Sequence, residues 1–156
     1  MSNCKQHKHC ISHALAEGEQ ICAEHGQRFT PIRRRVLELV WQSHKPAKAY
    51  DILDKLGKNT GAPKPPTVYR ALDFLLENGL IHKINSLNAF VGCTHPARHH
   101  QCYFLICQQC GEITECCTPA LADAIDSAAA QYDFTPETAV LEIQGICKAC
   151  RDSAAQ

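Results

Sequence analysis

No apolar run in this chain approaches the roughly 20 residues that a membrane-spanning helix needs, so a helical membrane protein is excluded. The first ten residues, Met-Ser-Asn-Cys-Lys-Gln-His-Lys-His-Cys, lack the apolar core of a secretory signal, and a cytoplasmic chain is expected. Internal repeats and low-complexity segments are missing, which excludes a repeat array. A His-Glu-x-x-His signature is missing too, so a zinc hydrolase of that type has no general base. Even a net charge is lacking: 16 Lys+Arg balance 16 Asp+Glu over 156 residues, a length for one domain or two small ones.

What is present in excess is cysteine. In a reducing compartment eleven cysteines point to metal rather than to disulfides. Two pairs stand out, Cys107-Gln-Gln-Cys110 and Cys147-Lys-Ala-Cys150, with 36 residues between them. Each pair can turn two thiolates toward one ion, and together they complete a tetrahedral S₄ shell, the usual structural zinc arrangement. Four protein thiolates leave no position for a substrate, so the predicted site is a scaffold. A redox Cys-x-x-Cys opens a helix after a strand. Here the strand-like run Tyr103-Phe-Leu-Ile-Cys107 leads instead into Gly111-Glu-Ile-Thr. A thiol oxidoreductase and a pair of disulfides are the weaker readings, and an enzyme is not expected.

The pattern changes partway along the chain. Residues 1–90 carry 13 Lys+Arg against 8 Asp+Glu, a net +5, and residues 91–156 carry 3 against 8, a net −5. A basic half can rest on a polyanion while the acidic half faces away. The first half reads as helices. One runs from Ile11 to His25, ending at Gly26. A second is capped by Thr30, with Pro31 at its first position and Ile32, Val36, Leu39 and Val40 at helical spacing. A third runs from about Ala49 to Lys58. A fourth runs from about Pro66 to Asn78, with Val68, Leu72, Leu75 and Leu76 facing inward and Gly79 at its end. Leu80–Ile84 and Ala89–Gly92 read as a hairpin, or wing.

The second half sets strand-like runs at Cys102–Cys107, Ile113–Cys116 and near Thr138–Ile146 around a helix from about Pro119 to Tyr132, whose apolar face carries Leu121, Ile125 and Tyr132. The predicted fold class is α+β. A winged helix-turn-helix is read over residues 1–92 and a small α/β unit with a structural zinc site over 101–156. In a helix-turn-helix the second helix enters the major groove N-terminus first. That end carries Lys64, Thr67, Tyr69 and Arg70. Lys and Thr suit phosphates, Arg suits a guanine edge, and Tyr suits a thymine methyl or a phosphate.

The segment Pro65-Pro-Thr-Val-Tyr-Arg-Ala-Leu-Asp-Phe-Leu-Leu-Glu-Asn-Gly79 resembles the recognition-helix segment of the ferric-uptake-regulator family. Arg28-Phe-Thr-Pro-Ile-Arg33, Ala49-Tyr-Asp-Ile-Leu53 and the two Cys-x-x-Cys pairs match in the family's order, so the resemblance covers roughly residues 11–150. Within the family the chain is most similar to the zinc-uptake regulators. The resemblance implies a homodimeric, zinc-responsive repressor of zinc-uptake genes that binds double-stranded operator DNA when zinc-loaded. It implies that residues 1–92 bind DNA, that 93–100 is a hinge and that 101–156 dimerise. It implies a DNA-contact set of Tyr50, Lys64, Thr67, Tyr69 and Arg70. It also implies a regulatory zinc site of His82, Cys93, His100 and Glu115, separate from the structural site of Cys107, Cys110, Cys147 and Cys150.

One thiolate, two imidazoles and one carboxylate suit tetrahedral zinc. His95 or His99 can replace His100 in that set, and Cys102 stays open as a member of it. The iron branch tends to carry a His-rich run with an Asp before the first Cys-x-x-Cys. Here that stretch is His99-His-Gln-Cys-Tyr103, without Asp, so an iron-, manganese- or peroxide-sensing regulator is the alternative. Cys4, His7, His9, Cys10 and His13 form a separate cluster on which the resemblance is silent; it can hold an accessory metal or be a frayed end. Cys22, Cys116 and Cys117 read as structural. A zinc-ribbon adaptor, the remaining rival, would leave the basic helix-turn-helix half without a use.

Overall fold

Four amphipathic helices and a hairpin build the first of two units into which the chain divides, Met1–Arg98 and His99–Gln156. The computed structural model describes residues 7–43, 45–60, 63–96, 102–137 and 139–154. The first unit runs α1 (His7–Glu24), α2 (Pro31–Val40), α3 (Ala49–Thr60), α4 (Pro65–Glu77), β1 (Ile81–Ile84), a 3₁₀ turn (Asn85–Leu87) and β2 (Ala89–Gly92). The apolar stripes read from the sequence become its core. Val36, Leu37, Leu39 and Val40 of α2 meet Ile52 and Leu56 of α3 and Val68, Ala71, Leu72 and Leu75 of α4. Such three- and four-residue spacing keeps one helix face apolar. Cys22 of α1 is buried in the same cluster, a structural thiol as expected.

The hairpin pairs β1 with β2 antiparallel, from Ile81↔Gly92 to Ile84↔Ala89. Asn88 closes its turn at φ 45, a left-handed conformation that Asn tolerates. Two hydrogen bonds between Ala47 and Phe90, both 2.8 Å, tie the segment before α3 to the wing. Gly79, at φ +65, ends α4 as expected.

Thr30 departs from expectation. It is extended, as a cap residue should be, but its side chain makes no capping bond and its Oγ1 is buried without a partner. The helix starts without it: Pro31 fills the first position with a preset φ, and the Thr30 carbonyl accepts the Arg34 N–H at 3.0 Å.

Gly92 has a packing reason. A Cβ there would fall inside the indole of Trp41, the only tryptophan of the chain. Gly92→Ala is expected to push Trp41 out of its seat and cost about 1–3 kcal/mol, the usual range for overpacking. A red-shifted tryptophan emission together with a lowered melting temperature checks this; an unmoved spectrum would contradict it.

In the second unit the order is β3 (Tyr103–Cys107), β4 (Ile113–Cys116), α5 (Pro119–Ala130), β5 (Leu141–Gly145) and α6 (Lys148–Ala154). The sheet order is β4-β3-β5, with β3 antiparallel to β4 and parallel to β5. The mixed helix-and-sheet class is the one read from the sequence; α6 is an addition to it. Tyr132 lies past the end of α5 and is 84% exposed, so it does not extend an inward face. The buried hydrophobic core of this unit, among the described residues, is Phe104, Ile106 and Cys107. A unit this small rarely holds itself together by apolar burial alone.

One expectation about cysteine is corrected. Cys102 and Cys117 are joined as a disulfide. The register explains it: Tyr103 faces Cys116, so Cys102 and Cys117 occupy the next rung, with Cα atoms 4.4 Å apart. That is the spacing of a non-hydrogen-bonded antiparallel pair, about 4.5 Å, which sets two side chains against each other.

Candidate metal centre and nucleic-acid interface

The two Cys-x-x-Cys pairs converge. Gly111, at φ +72, lets the chain double back after Cys110, with its N–H on the Cys107 carbonyl at 2.9 Å and the Cys107 N–H on the Glu112 carbonyl at 2.9 Å. Cys147 stands just before α6 and Cys150 lies in its first turn, so the start of the helix aims both toward the first knuckle. The four sulfurs lie within 4.8 Å of one another. Cys110 Sγ is 3.8 Å from Cys147 Sγ, and Cys107 Sγ is 3.9 Å from Cys150 Sγ. Zn–S bonds of about 2.3 Å in a tetrahedron require S···S edges of about 3.8 Å.

The chain's own groups prepare this set. The backbone N–H of Cys110, then that of Cys147, holds the Cys107 thiol down at about 6. Hydrogen bonding to Cys147 and burial push Cys150 up to about 12. One thiolate is thus ready at neutral pH, and an arriving ion must displace protons from its neighbours. Spacing, softness and closure fit a structural zinc ion.

In the first unit, Cys93 extends the hairpin by one rung, its N–H on the Leu80 carbonyl at 3.0 Å. His82 sits diagonally across the strands, and its ring nitrogen and the Cys93 sulfur come within 4.8 Å. Cys93 is buried and His82 half-buried. Glu115 lies half-buried on β4 of the second unit, opposite Phe104. His100 and His99 fall outside the described residues, as do Cys4 and the His7 side chain; His95 is exposed and contacts Thr94.

The expected nucleic-acid residues cluster around the N-terminus of α4. Lys64 is its cap position and Pro65 its first residue. Thr67, Tyr69 and Arg70 are exposed on its first turns, while Val68 and Ala71 turn inward. Tyr69 is 50% exposed and Tyr50, at the start of α3, 78%. Large aromatics left this open are unusual for a core role. A cleft of about 310 Å³ joins the two tyrosines to Lys48 and to Lys83 of the wing. The sequence reading missed Lys48 and Lys83. Neither sits in a motif, and only the folded hairpin brings Lys83 beside Tyr69.

A sequence profile described as "Ferric uptake regulator family" matches residues 24–144. The chain belongs to that family.

Among relatives in the family, it is 42% identical over 137 residues to the "Zinc uptake regulation protein" of Escherichia coli (strain K12), covering 87% of this chain and 80% of that one. It is 30% identical over 145 residues to the "Peroxide-responsive repressor PerR" of Staphylococcus aureus (strain USA300), covering 91% and 95%. A solved structure, "Zinc Uptake Regulator Complexed With Zinc AND DNA", superposes with a TM-score of 0.88 at 39% identity, over 94% of this chain and 98% of that one. The winged helix and the small α/β unit described above are thus the fold of this ferric-uptake-regulator chain. Among the described residues no helix is long and apolar enough to cross a membrane.

Proposed function

We propose that this chain is a cytoplasmic, homodimeric, zinc-responsive transcriptional repressor of zinc-uptake genes, binding double-stranded operator DNA when zinc-loaded. The observation that carries this reading is the pairing of the Cys93 thiol with the His82 imidazole at the base of the wing, the hairpin that follows α4 in the chain. A thiolate and an imidazole select zinc over the harder ions that prefer oxygen. The names of the Escherichia coli relative and of the zinc-and-DNA complex support the same reading. A regulator sensing iron, manganese or peroxide is the second possibility within the family, and the name of the S. aureus relative supports it; Cys93 weighs against it.

Two zinc sites carry distinct roles. Cys107, Cys110, Cys147 and Cys150 hold a structural ion whose binding supplies folding free energy to the second unit. His82, Cys93, His100 and Glu115 hold the regulatory ion, with residues 93–100 as hinge between residues 1–92 and 101–156. A ligand drawn from both domains favours one arrangement of them and shifts the population toward it. Zinc thereby acts as corepressor. The exposed apolar side chains of the second unit, Leu105, Ile143, Val140 and Phe134, support dimerisation there. Leu105 and Ile143 face each other across β3 and β5, a contiguous apolar surface of the kind that marks an interface.

On DNA, Lys64, Thr67, Tyr50 and the newly placed Lys48 and Lys83 suit phosphates, and Arg70 and Tyr69 suit base edges. Arg70→Ala is expected to cost about 1–3 kcal/mol of operator affinity with zinc content unchanged. Zinc-loaded protein mixed with sheared genomic DNA should retain a small set of promoter fragments, and Arg70→Ala at the same concentration should retain them more weakly. Equal retention by both proteins would take α4 out of the groove. Lys83→Ala should instead weaken binding on all sequences alike, with a shallower salt dependence.

A further inference from the structure

Cys102 and Cys117 take no part in the proposed function. Cys102 stands just before β3 and Cys117 just after β4, facing each other on one rung beyond Tyr103↔Cys116, with Cα atoms 4.4 Å apart. Glu115 stands two residues before Cys117 on the same face of β4, since strand side chains alternate. A Glu115 carboxylate oxygen and the two sulfurs all lie within 4.8 Å of one another. Cys102 and Glu115 are half-buried and Cys117 is exposed, so one side of this trio opens to solvent. Side chains on such a rung have Cβ atoms about 4.5–5.5 Å apart. Rotation about the side-chain bonds can then place the sulfurs either in a disulfide or on the two thiolate corners of one ion, with no movement of the backbone.

We propose that in the reduced chain Cys102, Cys117 and Glu115 form a further metal seat, of thiolate–carboxylate chemistry, for a borderline or soft divalent ion such as zinc or cadmium. Joining the two thiols closes it. Three protein ligands leave a position for water, so the ion here exchanges more readily than one in a four-thiolate shell. The closing step balances: each thiol gives up one hydrogen, one S–S bond forms, the O–O bond of hydrogen peroxide breaks, and two waters leave. A bound ion holds both sulfurs as thiolates and must depart before that bond can form. An occupied pair therefore resists oxidation. Glu115 also belongs to the proposed regulatory set, but the seat needs only these three side chains of the second unit and stands without that reading.

The full-length protein, kept reduced by a phosphine, is loaded with Cd²⁺ alone and freed of excess. Cadmium per protomer and the sulfur-to-cadmium charge-transfer absorbance are then measured. The Cys102→Ser/Cys117→Ser variant should hold one equivalent fewer than the parent, with a smaller absorbance. Parent purified without reductant, with the pair joined, should match that variant. Cys117→Ala, at an exposed position, repeats the comparison should the double variant not fold. Equal cadmium in reduced parent and folded variant overturns the seat, as does a loss of cadmium with no loss of charge-transfer absorbance. His82→Ala reads the other site separately. If it loses nothing while Cys102→Ser/Cys117→Ser loses one equivalent, the seat stands and the proposed regulatory site falls.

Discussion

Cys107→Ser is expected to strip the second unit of its structural ion and of its fold. The burial pattern makes the argument: Phe104 and Ile106 are the only other buried hydrophobics there among the described residues, and Cys107 itself is part of that small core. A structural zinc ion contributes about 10–16 kcal/mol, apparent, in zinc-finger peptides near neutral pH. That exceeds what so thin a core supplies. Serine neither matches the softness of a thiolate nor ionises near neutral pH. The first unit, with its own core from α2, α3 and α4, should still melt as a cooperative unit. Calorimetry with zinc analysis and sedimentation checks this: one transition lost, at least one zinc lost, the dimer dissociated. A soluble, dimeric, zinc-free Cys107→Ser protein with the parent's thermal stability would contradict the structural role. Cys147→Ser should behave alike, because Cys147 Sγ is 3.8 Å from Cys110 Sγ on an edge of the same tetrahedron.

His82→Ala and Cys93→Ser are expected to leave a folded dimer that no longer answers to zinc. Their sulfur and ring nitrogen come together at the base of the wing in the first unit, and none of the four Cys-x-x-Cys thiols is altered, so the second unit should keep its fold. Each variant should hold one zinc fewer per protomer than the parent. Operator affinity should fall to that of the metal-free protein. An ion shifts an equilibrium only by its differential affinity for the two states, so removing its site removes the whole response. Cys93→Ser is the more delicate of the two, since Cys93 is buried, and its circular dichroism should be compared with the parent's. Full zinc-dependent binding by both variants would move the sensing site elsewhere, to the N-terminal Cys and His residues first.

The fold was legible where its signals are local. The Cys-x-x-Cys pairs, the helix start read at Pro66 and observed at Pro65, the Gly79 stop and the two short strands of the hairpin each announce themselves within a few residues, because turn chemistry and helix periodicity are properties of short segments. What stayed hidden depends on register or on distant packing. The junction of Cys102 with Cys117 follows only once Tyr103 is known to face Cys116. Lys83 joins Tyr50 and Tyr69 through the folded wing, not through any motif. Thr30 carries the residue type and backbone of a cap, yet its hydroxyl finds no N–H, a matter of side-chain placement that a sequence does not encode locally. The helix that follows Cys147 also escaped notice, because seven residues, Lys148–Ala154, give too short a window for periodicity. For the proposed regulatory set, the sequence supplied ligand chemistry, and the geometry of the first unit adds the meeting of His82 with Cys93.

The most direct test is an anisotropy titration of this protein onto a labelled promoter fragment of a zinc-uptake gene, at a series of buffered free zinc concentrations. The account predicts tight, sequence-selective binding that rises saturably with free zinc and collapses when a chelator withdraws the regulatory ion while the four-thiolate site stays filled. By linkage, the operator should tighten zinc binding by the same factor. Affinity that is the same at every zinc level, or that never exceeds binding to random DNA, would contradict it.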